Sequence, residues 1–387
     1  MKNRIYLDYA ATTPVLPEVL AEMMPYFTEK FGNPSGVYGT AREAHQAVER
    51  ARRQVADAIG AEPAEIYFTS GGSESDNLAV RGTAQAAAGR GRHIITSRIE
   101  HHAVLNPCRQ MEKDGWQVTY LPVDRYGRVS PEDVEKAITP ETVLISIMYA
   151  NNEIGTLEPV GEIGRIAGEH GIPFHTDAVQ AVGCADVNVR RDGISLLSLS
   201  AHKIYGPKGT GALYIRRGTR IRGQILGGAQ ERGLRAGTEN TAGIVGLGAA
   251  IRIAAENRET QSESIRRLRD RMIRETLDTI PESGLNGPVT DRLCNNCHFY
   301  FAGVESEALL LRMDLAGIAA SGGSACTSGS TEPSHVLEAI RPGSEQAGGS
   351  IRLTLGRDTT ESDVDETVRI LRETVADLRN LRGKFSP

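Results

Sequence analysis

Lys203 follows an apolar run in "LSLSAHKIYGPKG", with Ser200, His202 and Tyr205 beside it. A lysine at a strand end inside a crevice can lose its proton through desolvation and form a Schiff base. Only seven of the 44 basic residues are lysines, so few can do covalent chemistry. Lys208, in the glycine-flanked "GPKGTG", is the rival and reads as a loop lysine. The second nucleophile is Cys326, in the small-residue run "SGGSACTSGS" (321–330). Small residues pack little, so this loop is expected to move. A helix start near Glu332 would favour a thiolate there. A buried structural cysteine at a Gly-rich bend is the alternative.

Other polar residues also follow apolar runs. In "SGGSESDN", Gly71 and Gly72 permit a tight turn, and Ser73 with Asp76 fits a capping box that opens a helix. A glycine-led helix start suits an anion, most often phosphate. Read alone, it is more simply a capped turn, since it lacks a P-loop lysine and the dinucleotide glycine spacing. His101 and His102 follow the next strand, and adjacent histidines on a helix cannot both face one site. Asn151 and Asn152, in "NNEIGT", orient a ligand or form a turn. Asp177 and Gln180, in "HTDAVQ", share a face if a helical turn starts there. Such an aspartate could hold a cationic ring nitrogen or a metal, or serve as a cap.

These residues need a scaffold that gathers strand ends. Strand-like runs at 65–70, 92–97, 142–150 and 210–215, with "WQVTYLPV", "IPFHTDA" and "GISLLSLSA", alternate with helical stretches near 73–88, 103–113 and 160–170. Apolar strands alternating with helices imply a mostly parallel sheet covered on both faces. Ligands of such sheets bind at the strands' carboxyl ends. After about residue 238 the rhythm changes. A long arginine-rich helix runs to about 279, and "PESGLNGP" breaks the chain. The strands "NCHFYFAGV" and "SIRLTLG" follow, with helices near 306–315 and 361–381, which reads as a smaller α/β domain. The first dozen residues are expected near the junction.

Composition narrows the class. The chain has 387 residues, 40% hydrophobic and 24% charged, with a formal net charge of −5. That is ordinary globular usage, without a basic field to recruit nucleic acid or anionic membrane. Five cysteines form no disulfide framework, and neither a signal nor a transmembrane segment is visible. A cytoplasmic protein is expected.

A phosphate site, a ring-holding aspartate and a strand-end lysine together describe a pyridoxal phosphate (PLP) pocket. The strings "YLDYAATTP", "FGNPS", "FTSGGSESDN", "EHHAV", "NNEIG", "HTDAVQ", "SAHKIYGPKG", "ERGLRAGTEN", "GSACTSGSTEPSHVL" and "SIRLTLGR" stand in order over residues 6–357. Together they resemble the cysteine desulfurases of the NifS/IscS type, in the class V aminotransferase group. The resemblance implies the α/β, PLP-dependent transferase fold type I. It has a large domain on a mostly parallel seven-stranded sheet and a smaller α/β C-terminal domain. The expected division is 14–260 against 1–13 with 261–387.

The resemblance also implies roles. Lys203 would hold PLP and remove the Cα proton of L-cysteine. His101 would stack on the ring and relay protons as a catalytic residue, Asp177 would pair with the ring nitrogen and Gln180 would bond its phenolic oxygen. Gly72, Ser73, Ser200 and His202 would grip the phosphate. Thr238 would reach the phosphate of a neighbouring subunit, which implies a homodimer. Asn152 would contact cofactor and substrate, Arg352 would fork to the substrate carboxylate and Asn33 would assist. Cys326 would take the sulfur as a persulfide, leaving L-alanine, and pass it to an acceptor such as an iron–sulfur scaffold; the same thiol could be a transient iron–sulfur ligand. No direct nucleic acid or membrane partner is implied.

Tyr38, Gly36 and Gly323 depart from the family pattern. Housekeeping members use a longer C-terminal tail to dock a scaffold, which leaves docking by that surface open here. Rival readings are a selenocysteine lyase, a cystine lyase or an aminotransferase of the same fold. From another class, "CNNCH" (Cys294, Cys297, His298) could hold a metal or iron–sulfur cluster. Cys108 and Cys184 have no partner spacing and read as structural.

Overall fold

The computed structural model describes residues 4–322, 334–342 and 349–385. Its strands are β1 (Ile5–Tyr6), β2 (Ile66–Thr69), β3 (His93–Ser97), β4 (Gln117–Leu121), β5 (Thr142–Ser146), β6 (Phe174–Asp177), β7 (Leu196–Ser200), β8 (Gly211–Ile215), β9 (Ser283–Leu285), β10 (Asn296–Phe301), β11 (Ile318–Ala319) and β12 (Ser350–Thr354). Seven form one sheet, ordered β2-β8-β7-β6-β5-β3-β4. Only β8 runs against its neighbours; the other six share one direction. β3, β5, β7 and β8 are buried at every position, as continuous apolar strands covered on both faces must be. β4, at an edge, opens to solvent at Gln117.

Helices cover both faces. The helix Gly39–Ile59 buries Ala44, Ala47, Val48, Ala51, Val55 and Ile59 at helical spacing, and Gly60 ends it in the left-handed conformation. Burying each of its Val and Ile side chains contributes about 1.5–3 kcal/mol. Its abundant Ala, Arg and Glu give no strong apolar run, so the sequence pattern misses it. It packs against the helix Thr241–Thr279, where a Cβ on Gly248 would stand 2.7 Å from the Ala51 Cα. That contact needs glycine.

The helix Thr241–Thr279 serves two cores. Ile244, Leu247 and Ile251 join the core of the large sheet. Leu268, Met272 and Ile273 join a second core with Phe299, Phe301, Ile351 and Leu353. Around that core lie the antiparallel sheet β12-β10-β9 and the parallel pair β1-β11. β9 lies inside the stretch that reads as a pure turn. The first residues belong with this second core: Leu7 is buried there and its carbonyl accepts from Thr354 N at 2.7 Å. Among the described residues no helix is long and apolar enough to cross a membrane.

Candidate active site

The carboxyl ends of the parallel strands open into a cavity of about 240 Å³. Gly72 and Ser73 enter after β2, His101 and His102 after β3, and Asn152 and Glu153 after β5. Asp177 ends β6, Gln180 follows it, and Ser200, His202 and Lys203 come from the end of β7. Arg352 of β12, His335, and the strip Ala10–Ala11 also line it.

β7 runs into a single 3-10 turn, Ala201–Lys203, which swings Lys203 into the cavity. Its Nζ donates to the Ala10 carbonyl at 2.6 Å and the Ala11 carbonyl at 2.7 Å. Gln180 Nε2 donates to the same Ala10 carbonyl at 2.9 Å. Burial, with the charges of Lys203 and Lys208, pulls His202 down to about 4, so its ring is neutral near pH 7. Lys208 is exposed and stands outside the cavity.

The floor is acidic. One ligand-type atom each of Asp76, His101 and Asp177 lies within 4.8 Å of the others. Asp177 Oδ1 accepts from Val179 N at 2.9 Å. The segment after it is a turn rather than a helix, and Asp177 both caps that turn and faces the cavity. Asp76 Oδ1 is buried without a hydrogen-bond partner, 3.6 Å from His175 Nε2. Burial raises both carboxyls. Asp177 pushes Asp76 up further, whereas His101 and Lys203 pull Asp177 back, so Asp177 is the one disposed to carry charge. His175 is locked between Ser146 Oγ at 2.8 Å and Ser198 Oγ at 3.0 Å.

Three local expectations change. The Ser73–Asp76 capping box does not form. The helix starts at Gly72, and Glu74 reaches back to accept from Ser70 N at 3.0 Å, which leaves Asp76 to turn inward. Both adjacent histidines line the cavity, because His101 is not in the helix. It is the extended N-cap of His102–Lys113, its Nδ1 accepting from Ala103 N at 3.1 Å. Asn151 and Asn152 divide the two readings. Asn151 is buried and ties the turn, accepting from Glu153 N and Ile154 N and donating to the Ile99 carbonyl at 3.0 Å. Asn152 faces the cavity.

Arg352 is buried; its Nη2 meets Asp8 Oδ1 at 2.9 Å and its Nη1 the Asn152 carbonyl at 3.0 Å. Asn33 and Thr238 are exposed and do not line this chain's cavity. Asn33 Oδ1 instead accepts from Ser35 N at 3.0 Å. Cys326 lies outside the described residues. Of the described residues on either side of it, Ser321 pairs with the cavity-lining Arg352 through two backbone hydrogen bonds, and His335 lines the wall. His335, Asp76 and the Ala10 and Ala11 carbonyls escape sequence reading. Only the partition of "HTD", with His175 and Asp177 on one strand face, hinted at a buried polar layer.

"CNNCH" does not converge. Cys297 and His298 are consecutive on β10 and fully buried, Cys297 Sγ lies 3.8 Å from the Arg269 carbonyl, and Cys294 meets Cys184 instead. Among the described residues the one three-residue group of metal-ligand type is Asp76, His101 and Asp177.

The aminotransferase class-V family model matches residues 5–367. "Cysteine desulfurase IscS" of Dictyoglomus turgidum is 55% identical, over 98% of this chain and 97% of that one. Among solved structures, a "NIFS-LIKE PROTEIN" superposes with a TM-score of 0.91 at 37% identity, covering 97% of this chain and all of that one. "SspA in complex with cysteine" gives 0.81 at 40% identity, covering 92% and 100%. The chain belongs to the aminotransferase class-V family, and within it to the cysteine desulfurases.

Proposed function

We propose that the cavity binds PLP and L-cysteine, and that the chain releases L-alanine and passes sulfur to Cys326 as a persulfide. The observation that carries this reading is the convergence of Lys203, Asp177 and His101 at the strand ends, with His335 lining the same cavity and Ser321 paired to its Arg352. The residues fit the cofactor. Asp177 offers buried negative charge for a cationic ring nitrogen, with the unpartnered Asp76 oxygen beside it. Gly72, Ser73, Ser200 and His202 offer a cradle for phosphate, and Gln180 a donor for the phenolic oxygen. When bound, PLP supplies an electron sink for bonds at the substrate Cα.

The chain's own groups supply the rest. Lys203 Nζ is the covalent anchor and the base that moves the Cα proton. The two carbonyls that hold it accept from an amine in either protonation state. His101 would hold the ring and Arg352 would receive the substrate carboxylate, with Asn152 lining the same cavity. The Cys326 thiolate attacks the substrate sulfur, the Cβ–S bond breaks with its electron pair left on the carbon that becomes the methyl of L-alanine, and the persulfide sulfur passes to an acceptor protein such as an iron–sulfur scaffold. We also infer a homodimer, in which the exposed Thr238 completes the partner's phosphate site, and that Asn33 assists in positioning the substrate. The two cores suit a division at 14–260 against 1–13 with 261–387, and a cytoplasmic location suits sulfur delivery to protein acceptors.

Borohydride reduction of the PLP-loaded protein, followed by peptide mass mapping, tests the anchor. The mass increment is expected on the Lys203 peptide; an increment on Lys208 would overturn the assignment.

A further inference from the structure

Two cysteines outside the reaction meet. Cys184 lies in the turn after β6 and Cys294 just before β10, and their side chains are hydrogen-bonded to each other. Both line a second cavity of about 50 Å³, which shares Gln180 and Lys203 with the first. A water molecule needs roughly 15 Å³ of such space, so hydrogen peroxide, little larger, fits. Cys184 is partly exposed and Cys294 is buried. The hydrogen bond from Cys184 pulls the Cys294 thiol down to about 7, helped by Ser262 and by the Arg269 and Arg266 charges. Of the two sulfurs Cys294 is the one disposed to ionise, while Cys184 stays a thiol.

We propose that Cys184 and Cys294 form a hydroperoxide-sensitive pair that closes to a disulfide between the turn after β6 and the start of β10. The Cys294 thiolate attacks one peroxide oxygen and the O–O bond breaks, leaving a sulfenic acid and, with one proton, water. The Cys184 sulfur then displaces the sulfenic hydroxyl. Its own proton leaves with that hydroxyl as a second water, and the S–S bond forms. Two thiols are oxidised by two electrons and one peroxide is reduced. Disulfides in reducing compartments are usually transient devices, which suits this pair. The bond ties the turn that follows Asp177 and carries Gln180 to the start of β10, whose partner strand β12 carries Arg352. It thus links the two sides of the substrate cavity.

The test uses the full-length, PLP-loaded Cys326→Ala protein, so that this thiol does not consume the oxidant. It is treated with equimolar hydrogen peroxide, alkylated, digested without reduction and mapped by mass spectrometry. The expected product is a linked Cys184–Cys294 peptide, two hydrogens lighter than its parts and separated again by dithiothreitol. In Cys184→Ser, dimedone should label Cys294. Full alkylation of both cysteines after peroxide would overturn the proposal, as would oxidation of Cys108 or Cys297 in their place. Should Cys184→Ser fail to fold, the linked peptide alone decides. None of these readouts depends on turnover, so the proposal stands or falls apart from the desulfurase reading.

Discussion

Glu231→Gln tests how the segment leading to Thr238 is pinned. Glu231 and Arg232 both hold positive φ, 43° and 57°, inside the "ERGLRAGTEN" stretch. What holds them is a buried ion pair. Arg52 Nη1 donates to Glu231 Oε2 at 2.8 Å and Nη2 to Oε1 at 2.9 Å, and Phe68 N donates to Oε2 at 2.9 Å. The two side chains are only 6% and 3% exposed. All three contacts are donors, so a glutamine oxygen can serve one side while its NH₂ group faces an N–H. Breaking a buried pair from one side costs about 3–5 kcal/mol. Glu49 still reaches Arg52 Nε at 2.9 Å, which points to the lower end, about 3 kcal/mol. Unfolding entropy scales with length, so in a chain of this size that loss lowers the melting temperature by about 4 °C. Thermal unfolding followed by circular dichroism at fixed protein concentration reads it. A shift below about 1 °C would refute the claim that this pair carries the segment.

Further outcomes follow from burial and close packing. Stability should peak on the acid side of neutral. His175 and His298 are held down to about 3 by burial, so their contribution is full above 6.5 and fades as pH falls toward 3. Glu100 and Glu158 are raised to about 8 by burial, so theirs is full below 4.5 and fades as pH rises through 8. The urea midpoint should therefore be lower at pH 8 than at pH 6; a higher one contradicts this. Gly211→Ala should loosen PLP retention, read by cofactor absorbance after dialysis. A Cβ there would stand 2.6 Å from the Gly71 Cα and the Leu199 carbonyl, pushing on the turn before Gly72 and Ser73. Asn151→Ala should cost about 2–4 kcal/mol, since it orphans two buried N–H groups and one carbonyl, and denaturant unfolding measures it.

The large sheet was legible because its strands are buried on both faces and so read as unbroken apolar runs. The lysine, Asp177 and Arg352 were legible because each ends or lies on such a strand within a specific string. Asp76 was misread because a serine three residues before an acid looks like a cap, and nothing local says that Glu74 takes that place. His335 could not be found, since its position depends on a helix packed across the cavity from another part of the chain. The Cys184–Cys294 contact was invisible for the same reason: cysteine spacing reports local motifs, and this pair is made by the topology that brings the turn after β6 against β10.

The most direct measurement gives the PLP-loaded protein L-cysteine and a reductant and quantifies alanine and sulfide together, for wild type and Cys326→Ala. The account predicts equal alanine and sulfide from the wild type, and loss of both in the variant with the cofactor spectrum unchanged. Pyruvate and ammonia in place of alanine, or full turnover without Cys326, would contradict it.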